Sequence, residues 1–370
     1  MSTFNVELKR VVDDSYQIET GYELTETLVD DLRSGLVGKI KKFAIITDSI
    51  VEKLYATAIY ERILEAGFKA DLFVFPAGEK SKVRKTKEEI EDAMLEKDYR
   101  RDCCIIAVGG GVVTDLAGFI AGTFARGVPF INYATTLLAA ADASVGGKTA
   151  VDTPRATNLI GLFNQPKKVY IDIATWRTLP KNQLSSGLAE TIKHACMADS
   201  EFFEYLEEHM EDIMNLDKDA LDHISNKNCE IKYKVVMKDE KESGLREILN
   251  LGHTVGRAIE TTSDYKLLHG EAVSIGLVAE TILSRKLGYM DDNQVMRVRE
   301  LLKKAKLPVS IPEYIDKEVL LNKLYTDKKV RDGKLRFVVQ YGLGSMVEFD
   351  KNNFGIEVSK EDAYEIIKDL

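Results

Sequence analysis

The stretch C-C-I-I-A-V-G-G-G-V-V-T-D, residues 103–115, decides the fold of this chain. Its apolar run, 103–108, is short and contains no polar residue at alternate positions, so it reads as a strand buried on both faces. Gly109, Gly110 and Gly111 then turn the backbone, and the small residues of 113–125 continue as a helix. A buried strand, a glycine turn and a helix form the first part of a βαβ unit. Glycines at such a turn let backbone N–H groups approach a pyrophosphate, whose charge the helix N-terminus favours. The spacing is not G-x-G-x-x-G, so the same residues read equally well as a tight strand-to-helix turn.

The pattern repeats outward from this point. Upstream, 42–47 (K-F-A-I-I-T) reads as a strand, 49–66 as a helix ending at Gly67, 70–76 as a strand and 84–96 as a helix. Downstream, 130–134 and 169–172 read as further strands. Alternating strands and helices predict a parallel sheet covered by helices, a Rossmann-like α/β domain. Beyond Thr175 the character changes: 183–198, 200–215, 218–239, 246–259, 271–287, 292–305 and 317–324 all carry helical periodicity. Only 334–340 and 345–349 read as strands, a late hairpin. Proline breaks the pattern at Leu179–Pro180, which divides the chain into an α/β domain at 1–179 and a mainly helical domain at 180–370. No internal repeat or low-complexity tract interrupts it, and the charged runs at 201–211 and 238–242 read as solvated helix faces.

Composition narrows the function classes. A chain of 370 residues exceeds the size of a single core, which agrees with two domains. Apolar residues at 45% and charged residues at 30% are those of an ordinary globular protein. The net charge of −9 argues against a general nucleic-acid binder. Cys103, Cys104, Cys196 and Cys229 show no C-x-x-C spacing and read as buried thiols. The N-terminus lacks a signal-peptide pattern, and no run reaches the roughly 18–20 apolar residues of a membrane span. A cytoplasmic protein with no membrane partner is expected.

The chemistry concentrates in 242–271, which holds two of five histidines, His253 and His269. Arg246, Asn250, His253 and Arg257 follow one another at steps of four, three and four, which would place them on one face of a helix. Such a face suits a metal ion beside an anionic, hydroxylated ligand, and equally a solvated polar surface. Glu190, in G-L-A-E-T-I-K (187–193), supplies a third ligand and completes a two-histidine, one-carboxylate set that leaves zinc an open position. An ion pair between Glu190 and Lys193, three apart on an apolar helix, is the alternative. The loop D-A-S-V-G-G-K-T (142–149) resembles a turn with an ammonium aimed at an anion, although Asp142 stands where a P-loop needs glycine. A plain surface loop is its other reading. Asp48, at a strand end, suits a ribose hydroxyl or a helix N-cap.

Taken in order, G-G-G-V-V-T-D, T-T-L-L-A, D-A-S-V-G-G-K-T, G-L-A-E-T-I-K, G-L-R-E-I-L-N-L-G-H-T and H-G-E-A-V resemble the 3-dehydroquinate synthases, a branch of the sugar phosphate cyclases. The resemblance covers about 45–329. It implies that the site lies in the cleft between the two domains. It also implies NAD contacts at Asp48, Glu79, Lys82, Gly110, Gly111, Val112, Val113 and Asp115, with Thr135, Thr136, Lys148, Thr175 and Thr178 completing them. Zinc, or cobalt, would be held by Glu190, His253 and His269. Positions implied to face the substrate are Asp142, Lys148, Asn158, Lys193, Lys232, Arg246, Asn250, Arg257 and Lys328. Arg126 resembles a residue that reaches a neighbouring subunit's site, which implies a homodimer. The implied reaction converts 3-deoxy-D-arabino-heptulosonate 7-phosphate into 3-dehydroquinate and phosphate, by oxidation, β-elimination, re-reduction and aldol closure.

Two positions depart from the family's pattern. Arg257 stands where a second histidine is usual, and Thr157 where a lysine is usual. Arg257 keeps a cation but removes a group that titrates near neutral pH. The rivals are a sister cyclase acting on another sugar phosphate, a metal-dependent polyol dehydrogenase, and an inactive relative serving as a binding subunit. Arg246 favours a carboxylate-bearing substrate, because a planar fork of donors matches a carboxylate.

Overall fold

The computed structural model describes residues 3–9, 11–326 and 335–370. In chain order the strands are β1 (Gln17–Gly21), β2 (Lys42–Asp48), β3 (Lys69–Phe75), β4 (Cys103–Gly109) and β5 (Phe130–Ala134). They continue as β6 (Lys148–Thr153), β7 (Ala156–Phe163), β8 (Lys168–Asp172), β9 (Leu335–Val338) and β10 (Gly355–Val358). The helices α1 (Thr25–Ser34), α2 (Thr57–Glu65), α3 (Arg84–Glu96) and α4 (Gly111–Thr123) pack on the sheet. After them come α5 (Lys181–Ala198), α6 (Ser200–Met214), α7 (Lys218–Lys238), α8 (His253–Thr262), α9 (His269–Lys286), α10 (Asp292–Lys304), α11 (Lys317–Thr326) and α12 (Lys360–Lys368).

Six strands form one parallel sheet in the order β1-β8-β5-β4-β2-β3. Side chains alternate across it, because successive Cβ atoms of a strand point to opposite faces. Ala44, Ile46, Ile105 and Ala107 share one core with Ile90 and Met94 of α3 and Leu116 and Ile120 of α4. Phe43, Ile45, Cys104 and Ile106 share the other with Leu28 and Leu32 of α1 and Ile59 and Ile63 of α2. All four cysteines are buried and unpaired. A third and larger core runs from Ala134, Val169 and Ile171 into the helices from α5 onward, so the helical part is packed directly on the β5–β8 side. The chain passes from β2 to β3 on one side and then to β4 on the other. The carboxyl ends of β2 and β4 are therefore the place where strand order reverses, and open α/β sheets bind ligands at such a crevice.

Three readings of the sequence need correction. Residues 246–259 are not one helix: Leu245–Asn250 is a 3-10 turn, Gly252 takes φ +77°, and α8 starts at His253. The physical cause is the left-handed conformation that glycine adopts without a Cβ penalty, which ends the helical path. Residues 345–349 are not the second strand of the late hairpin. β9 pairs antiparallel with β10 instead, and 345–349 meets the end of the first strand through the isolated bridge Gln340 to Met346 and backbone hydrogen bonds from Val347 to Val339 and from Tyr341 to Ser345. A tight turn bridged from Asp350 to Asn353, with Asn352 at φ +58°, brings β10 back to β9. Residue 334, the first of that expected strand, lies outside the described residues. Third, β1, α1 and the antiparallel hairpin β6–β7 were not anticipated, and the hairpin carries part of the site.

The crossing of α8 and α9 is set by glycine. A Cβ on Gly276 would stand 1.9 Å from the Gly252 carbonyl oxygen and 2.7 Å from the Gly256 nitrogen. Gly276→Ala is therefore expected to destabilise the fold by about 3 kcal/mol, the upper range for overpacking. Urea unfolding measures it, and an unchanged midpoint would show that the two helices separate without cost.

Candidate active site

A cleft of 1190 Å³ opens at the carboxyl ends of β2 and β4 and reaches across to α7, α8 and α9. A pocket for one small ligand has roughly 300–1,000 Å³, so this cleft has room for two molecules side by side.

Its sheet side is built by the ends of strands. Gly110 caps α4 and Gly111 opens it, so the helix N-terminus faces the cleft without side chains. A Cβ on Gly110 would come within 3.1 Å of Thr136, and one on Gly111 within 3.2 Å of Ala143. Asp48 Oδ1 accepts from the Ile50 and Val51 amides, so it is an N-cap, and it also lines the cleft. Lys82 is buried between Glu79 at 2.8 Å and Asp115 at 3.3 Å. Burial works against its charge, but Glu79, Asp115 and Asp152 outweigh that and hold the lysine protonated. Burial pushes Asp115 up to about 6, with Lys82 opposing. Val112, Val113, Thr136 and Thr178 line the same wall, and Tyr55, which the sequence did not single out, holds Thr178 Oγ1 at 2.6 Å. The Thr135 hydroxyl is buried there without a partner among the described residues. Thr175 stands apart: it does not line the cleft, and its hydroxyl donates to the carbonyls of Thr135 and Asp172. A glycine-edged helix N-terminus, a partnerless hydroxyl and a carboxylate at the switch point together suit a dinucleotide.

His253 from the first turn of α8 and His269 from the first turn of α9 line the cleft, and Glu190 from the middle of α5 is fully buried behind them, outside the lining, as is Lys193. The Nε2 atoms of both histidines lie 3.5 Å from Glu190 Oε1. Ligands at about 2.0–2.1 Å from a tetrahedral zinc are separated by roughly 3.3 Å, so the three atoms are spaced for one ion. The outer nitrogens are held as well: His253 Nδ1 is 3.1 Å from the Leu251 carbonyl, and His269 Nδ1 is 3.4 Å from Glu260. Such outer contacts fix tautomer and ring orientation around a metal. Glu260 carried no sequence signal beyond its i+7 spacing from His253. Burial disfavours charge on His269, but Glu260 and Glu190 push its pKa up to about 10. Burial drives His253 well below the ordinary histidine value.

Glu190 also touches Lys193, so the ion pair and the ligand set coexist. Both are fully buried, yet neither Glu190 oxygen nor Lys193 Nζ makes a well-directed hydrogen bond, which leaves the carboxylate oxygens for a cation. A second group, Asp142, Glu190 and His194, is equally close. It is filled by other contacts: Lys232 and Lys193 face Asp142, and Asn228 holds His194 Nδ1 at 2.9 Å. Burial keeps the His194 imidazole neutral, its pKa down to about 4.

Cations gather on the helical side. Lys148, at the start of β6, reaches Glu242 at 2.6 Å, and burial with that partial compensation brings its pKa down to about 8. Glu242 also accepts from Asn250 Nδ2 at 2.8 Å. Arg246 is 1% exposed; its Nη1 donates to the Glu240 carbonyl and its Nη2 to that of Gly146, while Nε has no partner among the described residues. Gly146, at φ +95°, makes room, since a Cβ there would meet Arg246 Nη2 at 2.4 Å. Asp142, Lys232, Asn158, Thr157 and Arg257 line the cleft too. Asn158 sits at φ +53° with its amide on Asp152 Oδ1. Arg336, from β9, joins them and was missed because nothing local marks it. Arg126 does not line the cleft: it lies in the Phe124–Arg126 turn, at φ +69°. Lys328 lies outside the described residues. The broken helix thus still brings Arg246, Asn250, His253 and Arg257 to one cavity.

The chain matches the family model for the 3-dehydroquinate synthase N-terminal part over residues 72–186 and for the C-terminal part over 187–330. It is 44% identical over 364 residues to the 3-dehydroquinate synthase of Caldanaerobacter subterraneus subsp. tengcongensis, covering 98% of this chain and 99% of that protein. With the 3-dehydroquinate synthase of Thermodesulfovibrio yellowstonii it shares 41% identity, over 96% and 100% of the two chains. The solved 2-epi-5-epi-valiolone synthase of Streptomyces hygroscopicus subsp. jinggangensis 5008, with NAD+ and Zn2+ bound, superposes with a TM-score of 0.86 at 26% identity, over 99% of both. An archaeal alcohol dehydrogenase, at a TM-score of 0.70 and 14% identity, shares the fold alone. Matched along both halves and nearly end to end, the chain belongs to the 3-dehydroquinate synthase family.

Proposed function

We propose that the chain converts 3-deoxy-D-arabino-heptulosonate 7-phosphate into 3-dehydroquinate and phosphate, as a carbon–oxygen lyase using NAD and zinc or cobalt. The carrying observation is one cavity lined by His253, His269 and a buried arginine with an unsatisfied Nε, with Glu190 buried directly behind the two histidines. When bound, NAD supplies reversible hydride removal and the divalent metal supplies Lewis-acid polarisation of the alcohol oxygen. Glu190, His253 and His269 hold the metal, while Asp48, Glu79, Lys82, Gly110, Gly111, Asp115 and the threonines hold NAD. Arg246, with Lys232 beside it, binds the substrate carboxylate. Lys148, Asn158 and Arg257 bind the phosphate end and stabilise the charge that departs with it. Asp142 and Lys193 orient hydroxyls next to the metal, and Asn250 with Glu242 keeps Lys148 in place.

With the division at 1–179 and 180–370, NAD belongs to the first domain and metal and most of the substrate contacts to the second, with Asp142, Lys148 and Asn158 reaching the substrate from the first. A homodimer with Arg126 at the neighbouring site, and a cytoplasmic setting, belong to the same reading. Among the described residues no helix is long and apolar enough to cross a membrane.

The test is phosphate release from the seven-carbon keto-acid phosphate, with NAD and Zn2+, while absorbance follows NADH. Phosphate without accumulating NADH is expected. Accumulating NADH would point to a dehydrogenase, and release only from a sugar phosphate lacking a carboxylate would point to a sister cyclase. Arg257→Ala is expected to raise KM for this substrate at least about tenfold, the loss of one charge-assisted contact of roughly 1.5–3 kcal/mol, with a smaller effect on kcat. Unchanged kinetics would remove Arg257 from the site.

A further inference from the structure

We infer that Glu280 is a positioning residue that sets the metal geometry through the backbone of His253. The inference rests on the metal reading above. Glu280 lies on α9, three turns beyond His269, and is fully buried. Its Oε2 accepts from the Gly252 amide at 2.9 Å and its Oε1 from the Thr254 amide at 3.2 Å. The two hydrogen bonds bracket His253 on both sides of the chain.

These amides belong to the first turn of α8, where N–H groups have no helical acceptor and must be satisfied from elsewhere. A carboxylate there also favours the helix N-terminus electrostatically. The partner is not a local cap, because Gly252 has no side chain to offer and takes φ +77°. It comes instead from the helix whose first residue is the other histidine, His269. The α8 and α9 backbones are in direct contact through Gly252, Gly256 and Gly276, which is how a side chain of α9 reaches the α8 terminus. The His253 ring is then aimed by a rigid turn and by its own Nδ1 contact with Leu251, the residue before the bracket. One carboxylate thereby ties the two histidine-bearing helices into a single unit, and the spacing between their Nε2 atoms is inherited from that tie.

The expected consequence is a metal site organised before the metal arrives. Glu280→Gln, nearly isosteric, keeps one acceptor oxygen and replaces the other with a donor facing an N–H. Co2+ affinity, measured by chelator competition on folded protein, is expected to fall 10–100-fold, the usual effect of losing an outer-shell partner. The Co2+ absorption bands should shift, while NAD affinity, read from Trp176 fluorescence, stays within about twofold of the parent. Glu280→Asp, which retains both oxygens, should recover part of the affinity. Co2+ affinity within threefold of the parent in Glu280→Gln would overturn the inference. Should that variant not fold, hydrogen exchange of the metal-free parent decides. Protected Gly252 and Thr254 amides support the bracket, and amides that become protected only with Co2+ refute it. His253→Ala serves as the control for the underlying reading: if it also leaves Co2+ affinity unchanged, the metal assignment fails rather than the role of Glu280.

Discussion

Replacing His253 by alanine is expected to abolish divalent-metal binding and phosphate release together. Three donor atoms lie within 4.8 Å of one another, and each comes from a different helix. Removing one leaves a histidine and a carboxylate, and Glu190 then has Lys193 as its nearest partner. The internal ion pair competes with the metal once the third ligand is gone. Loss of a direct ligand should exceed the 10–100-fold cost of losing an outer-shell partner. Zinc content after dialysis and the rate of phosphate release check both parts. A metal-free variant with full activity would sink the assignment. The fold should survive, because alanine at the first position of α8 removes no cap and the amide bonds to Glu280 are made by the neighbouring residues.

Arg246→Lys is expected to lower kcat/KM for the carboxylate-bearing substrate about 100-fold, equivalent to about 2.7 kcal/mol at the transition state. The guanidinium is buried, its Nη atoms each donate to a backbone carbonyl, and no carboxylate forms an ion pair with it among the described residues. Burial holds its pKa below the ordinary arginine value, with Asp142 and Glu242 opposing, so the chain keeps a costly charge in place before any ligand arrives. Lysine retains the charge but loses the planar fork, and it cannot hold both carbonyls while presenting a further donor. A carboxylate should feel this loss more than a phosphate, which accepts a point charge readily. The check is a comparison of carboxylate-bearing and carboxylate-free substrates with the variant. An equal loss on both would assign Arg246 to the fold instead of to substrate selection.

Much of this protein was legible in its residues. The strands β2, β4 and β8 carry continuous apolar runs, β3 and β5 are interrupted only by Asp71 and Asn132, and α6, α8 and α10 show strong helical periodicity. Short-range chemistry of this kind determines a segment's conformation wherever the local pattern and the global fold agree. The residues of the three-donor cluster were legible too, since histidines are scarce and Glu190 is a charge on an apolar helix. What failed was local and has local causes. The step pattern of Arg246, Asn250, His253 and Arg257 fits one helix, but Gly252 breaks it, and the four residues reach one cavity by a turn and a second helix instead. The β9 partner was misplaced because a strand's pairing is decided by what it packs against and not by its own sequence.

By itself the sequence determined the class of fold, the parallel sheet with helices on its faces, and the residue types from which a metal and anion site could be made. These follow from periodicity and from the cost of burying charge, both properties of short stretches. Only the tertiary structure decided that Glu190, His253 and His269 converge at ion-binding distance, that Glu260 and Glu280 stand behind the two histidines, and that Arg336 joins the cleft. Such contacts join residues far apart in the chain, and their geometry comes from the close approach of α8 to α9 through glycines. No local pattern encodes that distance, because it is set by the packing of two whole helices against each other.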